Sequence, residues 1–146
     1  GHTVEKIRLA EQDILYCTGC CTCINKQGAC VQQDDVNAIV QKMIACDVLV
    51  LATPVYFHAM NAQMKTFIDR CCSAYTLING KEVYFVAAAA GGTSEPRKAA
   101  ESLRVFTNCL KNITEKGVLG ATGMWNVGGV EGNPVLKQAY TLGKNA

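Results

Sequence analysis

Nine cysteines in 146 residues make up the densest chemistry in this chain. Five of them fall within residues 17–30, CTGCCTCINKQGAC, and four read Cys17-x2-Cys20-x2-Cys23-x6-Cys30. Three thiolates at two-residue gaps can wrap one corner of an iron-sulfur cubane, and a fourth closes it. Four thiolates also suit tetrahedral zinc, although structural zinc sites usually present two separated pairs. The run departs from a bacterial ferredoxin, because six residues precede the last cysteine and Val31, not proline, follows it. Cys21 adjoins Cys20, so their side chains should diverge, and Cys21 stands outside the ligand set. The odd count and the apolar remainder of the chain favour metal or redox use in a reducing compartment over a secreted disulfide scaffold. Cys46, Cys71, Cys72 and Cys109 lie in or beside predicted helices and read as inert buried thiols.

A second set of candidates lies where two apolar runs end. Residues 48–52, VLVLA, are continuously apolar, as expected for a parallel strand covered on both faces. Thr53-Pro54 should end that strand, since proline has no N–H for a ladder. Tyr56 and Phe57 follow, and then Met60, Met64, Phe67 and Ile68 recur at helical spacing. Residues 83–90, VYFVAAAA, form a second such run and empty into Gly91-Gly92-Thr93-Ser94. In open α/β sheets ligands bind beyond the carboxyl ends of the strands, where both loops would lie. Glycines there let the backbone approach a ligand without a Cβ in the way. Spacing alone is equally served by core aromatics and an ordinary strand-to-helix turn.

The elements that must position these residues alternate. Residues 3–9, TVEKIRL, read as a strand near a sheet edge. Residues 17–30 read as a loop. Asp34 or Asp35 can cap a helix carrying Val36, Ile39, Val40, Met43 and Ile44 on one face and running to about Cys46. Asn79-Gly80 marks a turn, and Pro96 opens a helix bearing Ala99, Ala100, Leu103, Phe106 and Leu110. Residues 118–124 read as the last strand, and residues 134–142 as a closing helix. Strand and helix in alternation argue for a doubly wound sheet in a single domain of residues 1–146.

Composition excludes some classes. A net charge of +2 is too small to argue for nucleic acid or a membrane surface. No apolar run reaches the length of a membrane span and no basic segment precedes a signal-like stretch, so the expected location is cytoplasmic.

The segments TPVYF, MK and FIDR (residues 53–57, 64–65 and 67–70), together with CTGCCTCINKQGACVQQDD at residues 17–35, carry a resemblance. Over about residues 1–143 the chain resembles the flavodoxin-like NAD(P)H-dependent FMN reductases, in particular their iron-sulfur flavoprotein branch. The resemblance implies a flavodoxin-like α/β fold with a three-layer α/β/α arrangement. It implies that Thr53, Pro54, Val55, Tyr56 and Phe57 line the flavin ring of FMN, with Ala90, Gly91 and Gly92 near its pyrimidine side. It implies NAD(P)H as the donor and a small-molecule or protein acceptor such as a flavin or quinone, with no side chain needed as acid or base. Homo-oligomers, dimers or tetramers, are implied as well. In the iron-sulfur branch a [4Fe-4S] cluster on Cys17, Cys20, Cys23 and Cys30 would make the protein an electron carrier. A non-enzymatic metal or thiol module on the same scaffold is the remaining alternative.

The resemblance also places residues 3–9 as the second strand and residues 48–52 as the third. The first strand, its phosphate loop and the first helix would then lie upstream of Gly1. Residues 3–9 and 48–52 should therefore not pair directly but stand about two strand spacings, ~10 Å, apart. Asp69-Arg70 reads as a structural ion pair, Lys65 and His58 as surface residues, and Met124 and Trp125 as core or pocket-closing residues.

Overall fold

A computed structural model describes residues 1–25 and 28–146. Its centre is a sheet of three parallel strands, β1 (Val48–Tyr56), β3 (Glu82–Ala88) and β4 (Thr114–Ala121). A two-residue strand, β2 (Ala59–Met60), pairs antiparallel with the end of β1, giving the order β2-β1-β3-β4. The helices are α1 (Thr22–Asn25), α2 (Val36–Ala45), α3 (Ala62–Arg70), α4 (Ser94–Thr107) and α5 (Val135–Lys144), with 3-10 turns at Leu9–Glu11 and Cys71–Ser73.

Register assigns the faces. Leu49 and Leu51 pair with Val83 and Phe85, and these side chains share one core with Val36, Ile39, Val40 and Met43 of α2, Met64 and Phe67 of α3, and Ala100, Leu103 and Phe106 of α4. Three helices thus cover one face. Gly120 lies on that face, where a Cβ would stand 2.9 Å from Pro96, so only glycine lets α4 sit this close to β4. The opposite face meets α5, whose Leu142 packs over Gly117 and Tyr84.

Several expectations are corrected. The run 48–52 is covered on one face only: Leu49 and Leu51 are buried, but Val50 is 58% exposed and Ala52 is also exposed. An unbroken apolar run does not reveal which neighbours are at hand, and α5 reaches only the β3–β4 side of that face. Pro54 does not end β1, which runs on to Tyr56. Along Val48–Pro54 the strand has β3 on one side and no partner on the other among the described residues, and such an edge tolerates a missing N–H. The last strand begins four residues earlier than expected, at Thr114, where it pairs with Glu82 and Lys116 reaches the Glu82 carboxylate at 2.9 Å.

Residues 3–9 are not a strand. They run without regular structure into the turn at Leu9–Glu11, and no ladder joins them to β1. Val4 is 83% exposed, whereas Ile7 and Leu9 tuck against the core and Glu5 pairs with Lys42 of α2. Two apolar anchors between charged residues find burial on a helix as readily as in a sheet. The loop 17–30 likewise contains the short helix α1.

The expected Asp69–Arg70 pair separates. Asp69 accepts from Lys65 at 2.6 Å on the surface. Arg70, 2% exposed, turns inward to Asp34 instead. Its Nη1 donates to Asp34 Oδ2 at 2.6 Å and to the Leu15 carbonyl at 2.7 Å, and its Nη2 donates to Asp34 Oδ1 at 3.0 Å. Asp34 also accepts the N–H groups of Leu15 (3.0 Å) and Val36 (3.2 Å). Neighbouring Asp35 makes no cap of its own helix and accepts from the Asp13 N–H at 2.8 Å. Burial opposes the charge on Asp34, but the guanidinium and the two N–H groups outweigh it and hold its carboxyl below the ordinary range.

Removing one partner of a buried pair strands the other, typically at about 3–5 kcal/mol. Arg70→Leu should lower the unfolding free energy by roughly that amount in urea titrations. Because the Asp34 carboxyl is depressed in the folded state, its contribution is complete above the unfolded value of about 4 and fades as pH falls further. Asp34→Asn should therefore be less stable at pH 7 and show a shallower loss of stability between pH 5 and pH 3 than the parent; equal slopes would count against the assignment.

Candidate functional site

Register brings two of the predicted segments together. Pro54 of β1 stands opposite Ala88 of β3, so the hairpin after one strand and the glycine loop after the other leave neighbouring strands at the same end. A third loop joins them. Ala89 donates its N–H to Ala121 at 2.8 Å, and Met124 donates to the Ala89 carbonyl at 3.0 Å. Residues 54–57, 89–93 and 121–125 form one rim at the carboxyl end of the sheet.

The hairpin is unusual in its chemistry. Val55 pairs with Met60 and Tyr56 with Ala59, leaving Phe57 and His58 as a two-residue turn with φ of +50° and +64°. Such turns ordinarily carry Asn-Gly, and a bulky residue held in the left-handed region costs of order 1–3 kcal/mol. Tyr56 and Phe57 are presented outward, 60% and 102% exposed. Trp125 and Val127 are also exposed, at 76% and 107%, so Trp125 is not core.

Hydrogen bonds hold this strained turn from two sides. Met60 donates its N–H to Ser102 Oγ of α4 at 3.2 Å, and Ser102 donates onward to the Ala99 carbonyl at 2.6 Å. Asn61 donates its N–H to Thr53 Oγ1 at 3.0 Å, while its side chain caps α3 by accepting from the Met64 N–H at 3.1 Å. Thr53 itself is 4% exposed, with its hydroxyl spent on this network. Pro54, Val55, Tyr56 and Phe57 are thus placed at the rim, and Thr53 lies beneath it as a support. Sequence reasoning missed Asn61 and Ser102. Asn61 carried a signal, a capping residue three positions before Met64, whereas a serine inside α4 carried none.

The glycine loop brings open donors. Among the described residues, the N–H groups of Ala90, Gly91 and Gly92 have no acceptor in the chain. A Cβ on Gly91 would collide with the Glu95 carboxylate at 2.3 Å. Free backbone N–H groups beside an apolar shelf suit a flat heteroaromatic ring with acceptors along one edge, and in this respect the residues fit FMN. The rim is a shelf without walls. The larger cavity nearby, a groove of about 470 Å³, runs instead from Thr93 and Thr122 down between α4 and the free edge of β4, past Pro96, Arg97, Val118 and Gly120.

The four cysteines do not converge as expected. Cys17 and Cys20 are exposed and Cys23 and Cys30 are half-buried, and among the described residues no three Cys, His, Asp or Glu side chains are placed to hold one metal ion. The backbone takes positive φ at Gly19 (+66°), between Cys17 and Cys20, and at Cys21 (+57°). Cys30 is clasped to α2, its N–H donating to Asn37 Oδ1 at 2.8 Å and its carbonyl accepting from Asn37 Nδ2 at 2.9 Å. Four thiols on one loop are the right donors in kind for a cluster, but this arrangement does not bring them around a centre. Hydrogen bonds from the Thr22 side chain and N–H, and from Thr18, lower the Cys20 thiol below its ordinary value. Burial, with Cys72 and Cys30 nearby, raises that of Cys23. Cys71 is buried and pushed up to about 12, an inert thiol as expected. Cys72 and Cys109 are exposed and Cys46 half-buried, against the expectation of burial.

The model of the NADPH-dependent FMN reductase family matches residues 1–126. The chain belongs to that family. An iron-sulfur flavoprotein of Archaeoglobus fulgidus is 49% identical over 70 residues, covering 48% of this chain and 31% of that protein. One from Methanocaldococcus jannaschii is 40% identical over 70 residues, 48% of this chain and 36% of its own. The matched stretch therefore spans about a third of these relatives' length. Among solved structures, the Trp repressor binding protein of Bacillus subtilis superposes with a TM-score of 0.66 at 20% identity, covering 77% of this chain and 78% of its own. An azoreductase from Bacillus anthracis gives 0.62 at 15% identity, covering 97% and 80%. These likenesses establish the flavodoxin-like α/β fold. No helix among the described residues is long and apolar enough to cross a membrane.

Glycine takes up positive φ without strain. His58→Gly should therefore raise the unfolding free energy by about 1 kcal/mol, read from urea denaturation, whereas loss of stability would show that the turn is not strained as described.

Proposed function

We propose that this chain forms a single-domain unit of an FMN-dependent oxidoreductase that passes electrons from NAD(P)H to an acceptor such as a flavin or quinone. The supporting observation is the rim: an apolar hairpin and three open backbone N–H groups on adjacent parallel strands. When bound, FMN would supply the two-electron chemistry. The residues of this chain bind and orient it. Pro54, Val55, Tyr56 and Phe57 offer an apolar face, and Ala90, Gly91 and Gly92 offer donors to a ring edge. Thr53, Asn61 and Ser102 keep the hairpin in place. Tyr56, Phe57 and Trp125, large and exposed on one rim, also mark the surface on which a second subunit or the acceptor would close and exclude water. The flavin chemistry requires no side chain of this chain as acid or base. The expected setting is the cytoplasm.

Quenching of flavin fluorescence tests the reading. FMN should bind, and Phe57→Ala should weaken it roughly tenfold, about 1.4 kcal/mol, while leaving the fold intact by circular dichroism. Absence of binding to a folded sample, or indifference to both Phe57→Ala and Tyr56→Ala, would sink the assignment.

A second reading, the iron-sulfur electron carrier, is favoured by the likeness to proteins named iron-sulfur flavoproteins and by four thiols on one loop. It requires Cys17 and Cys20 to swing toward Cys23 and Cys30. Anaerobic reconstitution with iron and sulfide should then give broad visible absorption at about four irons per chain, lost in Cys20→Ser with FMN binding retained. Iron uptake unchanged by Cys20→Ser would remove this reading.

A further inference from the structure

A carboxylate without a counter-charge stands at the glycine loop. Glu95 lies half-buried in the first turn of α4, and its N–H donates to the Gly92 carbonyl at 3.2 Å, tying the residue to the loop through the backbone. Its side chain turns back over Gly91. A Cβ added at Gly91 would meet Glu95 Oε2 at 2.8 Å and Oε1 closer still, so only the missing side chain makes room for the carboxylate. Glu101 and Glu115 share Arg104, and Glu82 holds Lys116. Among the described residues no cation forms such a pair with Glu95. A negative charge therefore sits beside Ala90, Gly91 and Gly92, whose N–H groups are open.

We propose that Glu95 sets the reducing strength of the flavin, an inference that rests on reading the rim as an FMN site. Hydride transfer from NAD(P)H moves two electrons and one proton to the ring. The donor leaves as NAD(P)+, and the ring, neutral when oxidised, carries one negative charge until a second proton arrives. A carboxylate beside the donors to the ring edge repels that added charge and has no such quarrel with the oxidised ring. The open N–H groups attract the same charge, and Glu95 offsets them. Bound FMN is then a stronger reductant than the same shelf would hold without the carboxylate, and it gives up its electrons to an acceptor more readily. An acidic residue in the first helical turn also favours the positive end of α4, but that role would not distinguish the two states of the flavin.

The test is the midpoint potential of bound FMN, read by anaerobic reduction against a reference dye, beside fluorescence titration with oxidised FMN. Glu95→Gln should bind oxidised FMN much as the parent does. It should favour the reduced form about tenfold, a rise of ~30 mV for a two-electron couple. Glu95→Asp keeps the charge and should stay nearer the parent. Gly91→Ala, which pushes the carboxylate aside, should raise the potential in the parent and change it little in Glu95→Gln. Equal potentials in the parent and Glu95→Gln, with FMN bound to both, would overturn the proposal and leave the flavin reading standing. So would a shift from Gly91→Ala that is equally large in both backgrounds. Failure of the folded parent to bind FMN would remove the flavin reading, and this proposal with it.

Discussion

The buried Asp34–Arg70 pair is the contact on which the remaining architecture depends. Two charges removed from water gain nothing unless every lone pair and proton is used. Here the carboxylate takes two guanidinium bonds and two backbone N–H groups, and the guanidinium also holds the Leu15 carbonyl; only Arg70 Nε is left without a partner. One pair thereby joins three segments: the stretch before the cysteine loop, the start of α2 and the end of α3. The adjacent Asp13–Asp35 exchange repeats the tie: the Asp13 carbonyl receives the Asp35 N–H at 3.0 Å, and the Asp35 carboxylate receives the Asp13 N–H. Asn37, in the first turn of α2, then fixes Cys30. The cysteine loop is anchored at both ends on the same helix while Cys17 and Cys20 between them face solvent.

That pair also shows what a sequence withholds. Asp69 and Arg70 are adjacent and of opposite charge, which suggests a pair, but consecutive helical residues point about 100° apart and do not face one another. Asp69 finds Lys65 four residues back, and Arg70 reaches across 36 positions to Asp34. The parallel strands and the four longer helices were legible because their period and length admit few alternatives. Burial of both faces of residues 48–52 was not, because apolar character states what a strand tolerates and not what lies over it. The alternation in residues 3–9 misled for a related reason: Ile7 and Leu9 satisfy their need for burial against the helical side of the core, and a strand without a neighbour has no ladder to form.

The candidate site was legible at the level of strand ends. Two apolar runs that each empty into a loop must bring those loops to one end if the strands are parallel neighbours, and β1 and β3 are. The division of labour inside TPVYF was not legible, because β1 continues past Pro54 and sends Thr53 inward. Period two then places Thr53 with Leu49 and Leu51 on the covered face, so its hydroxyl serves Asn61 and not the rim.

The hairpin and the glycine loop are held by the same helix. Ser102 of α4 receives the Met60 N–H, and the first turn of α4 follows directly from the loop at residues 90–93. Displacing α4 would shift the hairpin and the glycine loop together, and its distance from the sheet is set by Gly120 against Pro96. Two bulky residues at positive φ would relax to a wider loop if nothing opposed them. Pairing of β2 with β1 and the bonds at Thr53 and Ser102 oppose them, so the backbone of the turn is held with Phe57 at its outer end. A hairpin backbone fixed in this way is in place before any ligand arrives, and less backbone ordering entropy is then lost on binding.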